Sequence, residues 1–184
     1  MLQEEGLVEI ERNRRARVAS FDAEDLEVVY ASRILLTALA TTLTVPRLTE
    51  KEIIVMEQLI ERMKQCSQSD DHEGWRTADH AFHQAHCLFA PASVQRELRT
   101  LFERATLYRL LRLRDQPHRQ AITFSDHEAI ISACRERNAR AAVDAVVRHL
   151  SRIALALLAY TAPERDPQTI RAALQIALGG GCPV

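Results

Sequence analysis

Between Gly6 and Gly179 the chain carries a single glycine, Gly74, and this scarcity decides the fold class before any other feature. Hairpins and bulges need residues that accept positive φ, which glycine does without steric cost. A chain of 184 residues that lacks them must turn through helix caps and proline stops. The expected fold is therefore all-α, an antiparallel bundle of six or seven helices. A chain of this size removes roughly 70% of its unfolded surface from water on folding, so one substantial core is within reach.

Local signals place the helices. Asp22 caps a helix over about 23–44, with Phe21 and Leu26 placed to staple across the cap, and Pro46 closes it. Thr49 and Glu52 form a capping box for a second helix to about Cys66, with Ile53, Met56, Ile60 and Met63 on one stripe. The polar run Ser67 to Asp71 opens a third, carrying Trp75, Ala78, Phe82, Ala85 and Phe89 at helical spacing and stopped by Pro91. A fourth, rich in Leu and Arg, runs to about Arg114. Ser125 and Glu128 read as the capping box of a fifth, and Asn138 caps a sixth over 139 to about 160. Asp166 and Pro167 open a short last helix that ends at Gly179. Ahead of all these, Leu7, Val8 and Ile10 and then Ala16 and Val18 flank a basic tip, which fits a two-stranded ribbon.

Composition excludes several classes. Apolar residues make up 47% and charged residues 27%, and no run of 18 uncharged apolar residues offers to span a bilayer. The N-terminus lacks the apolar block of a signal peptide, so a cytoplasmic location with no membrane partner is expected. Cys66, Cys87, Cys134 and Cys182 have no paired spacing, and reduced thiols follow. A net charge of −1 gives no global attraction to nucleic acid.

The chemistry lies in four side chains. Asp79 and His83 are one turn apart on the third helix, flanking its apolar stripe, so they can share a partner. His80 is expected to point outward. His127 falls in the first turn after the Ser125 cap, where the helix dipole keeps an imidazole neutral, and His149 shares an inward stripe with Ala142, Val146 and Ile153. One carboxylate with three imidazoles suits divalent Zn, Ni, Mn or Fe, and six-coordination would leave positions for a ligand. His86, one turn beyond His83, stands behind these four as a substitute ligand or an outer partner. The opposing reading is that each histidine is a hydrogen-bonded core residue.

The segment DHAFHQAH resembles the D-x-x-F-H motif of the FadR-type C-terminal domain (FCD) of GntR-family transcription regulators. SDHEAIISACRERNARAAVDAVVRHL continues the likeness in register, with His149 standing 22 positions after His127. DLEVVYASRILLTALA resembles the opening helix of that domain, with Arg33 at its arginine position. The resemblance implies metal ligands at Asp79, His83, His127 and His149 and an effector contact at Arg33. A guanidinium grips a carboxylate bidentately, so a small organic acid is the implied effector. LQEEGLVEIERNRRARV resembles the end of a winged helix-turn-helix, whose recognition helix is missing. Arg12, Arg14 and Arg15 would then be weak phosphate contacts of a wing remnant, and DNA a partner only if the rest of that module is present. Arg15 stands where the family usually has Gly, Thr37 where an acidic residue is common, and His86 where Leu is usual.

These readings divide the chain into a wing remnant (1–20), a metal- and effector-binding helical domain (21–162) and a short helix with a frayed tail (163–184). Homodimerisation is expected from the resemblance and from helices apolar on more than one side, as at Ile34, Leu35, Leu36 and Leu39. Contrasting readings are a metal-dependent hydrolase or oxygenase, or a purely structural helical module. H-E-x-x-H, paired E-x-x-H and glycine-rich phosphate motifs are all lacking, so no enzymatic activity is expected.

Overall fold

The computed structural model describes residues 8–9, 17–18, 22–112 and 119–179, with side chains over 22–108 and 124–179. Seven helices form among the described residues: α1 (Ala23–Thr44), α2 (Glu50–Gln68), α3 (His72–Ala85), α4 (Ala92–Arg112), α5 (Arg119–Arg135), α6 (Ala139–Thr161) and α7 (Gln168–Ala177). Two short strands, β1 (Val8–Glu9) and β2 (Arg17–Val18), pair antiparallel with Val8 opposite Val18. Arg12, Arg14 and Arg15 lie outside the described residues.

The central helix is α1, which packs on α6, α7 and α4. Asp22 starts it by accepting from the Glu24 N–H at 2.8 Å, and Pro46 ends it inside a single 3₁₀ turn. Together with that turn it is long and apolar enough to cross a membrane, but Leu26, Val29, Tyr30 and Ile34 are sealed inside the protein core. Burying Ile34 removes it from any face that a second copy could touch. Val28, Leu35, Leu39 and Leu43 remain as an exposed apolar strip.

Capping explains most boundaries. Thr49 and Glu52 make the expected box, with the Thr49 N–H donating to Glu52 Oε2 at 2.7 Å. Asn138 accepts from the Ala141 N–H at 3.0 Å. Asp71 accepts from the Gly74 N–H at 2.8 Å, which accounts for the isolated glycine. A Cβ at Gly74 would lie 2.2 Å from Asp71 Oδ2 and 2.8 Å from Cys66 Sγ, so a larger residue would break the cap that starts α3.

Two boundaries differ from those the local signals predict. Helix α5 begins at Arg119, ahead of the expected cap at Ser125, so Ser125 is interior and no capping box forms there. A Ser/Thr signal marks a start only where the preceding chain is non-helical, and here it is helical. His127 consequently stands in the middle of α5, and its environment is set by burial instead of by a helix terminus. Helix α3 stops at Ala85, short of Phe89. Tertiary bonds replace its last turn: Phe89 N–H donates to Thr44 Oγ1 at 3.1 Å, and Gln95 Nε2 donates to the carbonyls of Leu88 (2.9 Å) and Ala90 (2.8 Å).

Helix α7 joins the same core through Ile170 and Ala173. The carboxylate that anchors it belongs to Glu27 on α1, almost fully buried, which accepts from Arg165 Nε and, at 3.2 Å, from the Thr169 N–H. A carboxylate at this helix start satisfies an orphan donor and the dipole together. Replacing Glu27 by Ala is expected to cost about 2 kcal/mol, because a hydrogen-bonded charge is lost from a buried position. Chemical denaturation measures the loss, and hydrogen exchange should show α7 amides opening before those of α1.

Candidate metal centre

Three elements bring the four sequence-chosen residues together. Asp79 and His83 project from α3, His127 from α5 and His149 from α6, and all four are buried. The three imidazoles each offer a nitrogen within 4.8 Å of the others. Asp79 Oδ1 lies 3.6 Å from His83 Nε2 and 3.5 Å from His127 Nε2. Donors about 2.1 Å from a divalent ion stand roughly 3.0–3.4 Å apart around an octahedron or tetrahedron, so the Asp79–histidine distances are already near that spacing, while the imidazole nitrogens would draw closer together to close on an ion. Phe82 forms its floor, with its ring 4.7 Å from His127 and 5.8 Å from His83.

Proton placement favours ligation. Burial holds His83 well below the usual imidazole range, outweighing the opposite pull of the Asp79 hydrogen bond and charge. The ring is neutral, as a ligand must be. His149 Nδ1 stands 3.1 Å from Asp126 Oδ2 and donates to it, while its Nε2 is buried with no hydrogen-bond partner among the described residues. A carboxylate on one ring nitrogen and an open lone pair on the other is the arrangement that orients a ligating histidine.

Asp126 is the member of this arrangement that sequence reading misses. It is bonded by Arg152 as well as by His149, and although burial pushes its carboxyl up, these bonds and charges hold it below the usual carboxylate range. Its signal in the sequence was adjacency to His127, which says nothing about the helix it would face. His86 lies outside the cluster, between His83 and Thr41. Its Nε2 is 3.2 Å from His83 Nδ1 and its Nδ1 is 3.2 Å from Thr41 Oγ1, and burial pushes it down to about 3.

Beside the cluster lies a cavity of about 400 Å³ whose wall includes His83, His86, Arg33, Thr37, Arg99 and Phe102. Arg33 is only 5% exposed and stacks its guanidinium 5.3 Å from the Tyr30 ring centre and 5.0 Å from that of Phe102. His80 does not point outward as expected. It stacks on Phe102 with ring centres 4.1 Å apart, half-buried in the same cavity wall, because Phe102 reaches from α4 to the face that a lone α3 would leave open. Arg104 is a surface residue paired with Asp25.

The FCD domain family matches residues 27–152, more than half of the chain. The chain belongs to the FCD domain family. FCD domains are the effector-sensing regulatory domains of GntR-family transcription regulators, which are not enzymes. Such regulators act as dimers that bind DNA and small-molecule effectors, and FCD domains often bind metal. This FCD chain is 25% identical over 156 residues to the uncharacterized HTH-type transcriptional regulator YdhC of Bacillus subtilis (strain 168), covering 82% of this chain and 68% of YdhC. Its fold is similar to that of a GntR transcriptional regulator from Rhodococcus sp. RHA1, with a TM-score of 0.71 at 21% identity, covering 85% and 75% of the two chains. E. coli McbR/YncC gives the same TM-score, 0.71, at 15% identity over 85% of this chain and 74% of that one.

Proposed function

We propose that this FCD domain is a metal-dependent sensor of a small carboxylate. The observation that supports it is the meeting of Asp79, His83, His127 and His149 beside a cavity that Arg33 lines. A divalent Zn, Ni, Mn or Fe ion held by these four would offer a Lewis-acidic position to a carboxylate oxygen. Asp126 and His86 fix the ring orientations of His149 and His83 from outside. Arg33, held in plane by Tyr30 and Phe102, presents N–H donors to the same ligand.

A ligand spanning Arg33 on α1 and His83 on α3 ties those helices together, favouring one packing of the bundle. In a dimeric cytoplasmic regulator carrying a winged helix-turn-helix, that shift biases operator affinity, with Arg12, Arg14 and Arg15 as phosphate contacts. Residues 1–20 then serve as the wing's end, 21–162 as the sensor and 163–184 as a terminal helix and tail. Val28, Leu35, Leu39 and Leu43 on α1 are the face offered to a second copy.

Thermal unfolding with succinate, citrate, gluconate and phenylacetate, with and without chelator, tests the sensor reading. At a hundredfold excess over Kd an acid adds about 2.7 kcal/mol, or roughly 5–10 °C at this chain length. That rise is expected in metal-replete protein alone and is lost in Arg33→Ala. Equal stabilisation of chelated protein, or of Arg33→Ala, refutes it.

A further inference from the structure

The wall of the cavity beside the cluster shows more apolar than polar surface, and two of its polar side chains are engaged elsewhere, Gln84 with His80 and Gln95 with the Leu88 and Ala90 carbonyls. Its deeply buried part holds Arg33, Thr37, His83 and His86, whereas Val55, Ala81, Ala85, Leu88, Leu98 and Phe102 make up much of the remainder. Val55 and Leu88 are 43% and 44% exposed, large apolar side chains at the outer side that the core does not use. Of the charged groups there, Glu52 is occupied by the Thr49 backbone and hydroxyl, leaving Lys51 and Arg99 at the rim.

We infer that the effector is a monocarboxylate with an aryl or branched alkyl body, its carboxylate toward Arg33 and His83 and its body against Ala81, Leu88, Leu98 and Phe102. This rests on the reading of the domain as a carboxylate sensor. A volume of about 400 Å³ lies near the small end of ligand pockets, with room well beyond a carboxylate alone. A polyhydroxylated acid lying along Ala81, Leu88, Leu98 and Phe102 would set hydroxyls against side chains that cannot hydrogen-bond, each losing water without replacement. An apolar body gains from the same wall by leaving water.

Calorimetric titration of the metal-replete full chain with phenylacetate, gluconate and phenylacetamide tests this. Phenylacetate is expected to bind at least tenfold more tightly than either of the others. Ala81→Phe, which fills the cavity, should weaken phenylacetate tenfold or more with metal content unchanged. Should that variant fail to fold, Val55→Asn at the outer side should weaken it several-fold. Tighter binding of gluconate overturns the apolar-body assignment and leaves the carboxylate sensor standing. Phenylacetamide binding as well as phenylacetate overturns the inference by removing the carboxylate from it, and so does silence from all three probes. Phenylacetamide binding as tightly as phenylacetate rejects the sensor reading as well, whereas silence from all three overturns the aryl or branched-alkyl assignment and leaves the sensor to the succinate and citrate arms of the thermal unfolding test.

Discussion

Changing His83 and His149 together to Ala is expected to reduce bound divalent metal from about one ion per chain to background, read by elemental mass spectrometry of dialysed protein. The loss is large because the two rings are half of the donor set and come from different helices, so no neighbour closes the gap. Stability should follow. An ion at a thousandfold excess over its Kd adds about 4 kcal/mol to the native state, or roughly 10 °C in Tm for a chain of this length, and the double variant should gain none of it. Asp126→Asn keeps all four donors but weakens the hold on His149, and a ten- to hundredfold lower metal affinity is expected. Wild-type metal content in the double variant would end the metal proposal.

Phe82→Ala is expected to be the most damaging single change to the fold. The ring is completely buried and lies under His83, His86 and His127 at 4.7–6.0 Å between ring centres. Removing it takes away its burial and leaves a void next to polar rings, a cost of roughly 3–5 kcal/mol. Denaturant unfolding measures that cost. Phe82→Leu keeps most of the volume and separates packing from positioning. Its stability should stay close to wild type, while metal affinity falls because an aliphatic side chain does not hold the imidazole planes. Equal metal affinity in Phe82→Leu would confine Phe82 to a packing role.

Some of this protein is written in short stretches of its sequence. The dearth of glycine, the Asp22, Asn138 and Thr49/Glu52 caps and the 3.6-residue spacing of apolar side chains specify helices, and the boundaries of α1, α2 and α6 match within a residue or two. The i, i+4 spacing of Asp79 and His83 puts both on one side of α3 by helix geometry alone. The positions of His127 and His149 are legible through register with a family pattern, although the helix-terminus argument for His127 fails because α5 starts earlier.

Other features depend on partners distant in the chain. The end of α3 is set by Thr44 and Gln95, which take up backbone groups that a further turn would have used. Asp126 is chosen by His149, 23 residues away, and His86 meets Thr41 across 45 residues. The side of His80 is decided by Phe102 on α4, and docking of α1 decides which of its apolar sides is covered, Ile34 facing the core while Leu35 and Leu39 stay exposed. Caps and periodicity are local interactions, fixed by residues within one or two turns. Termination, orientation of a ligating ring and the depth of a cavity come from side chains that meet only after the helices dock, so the folded core decides them.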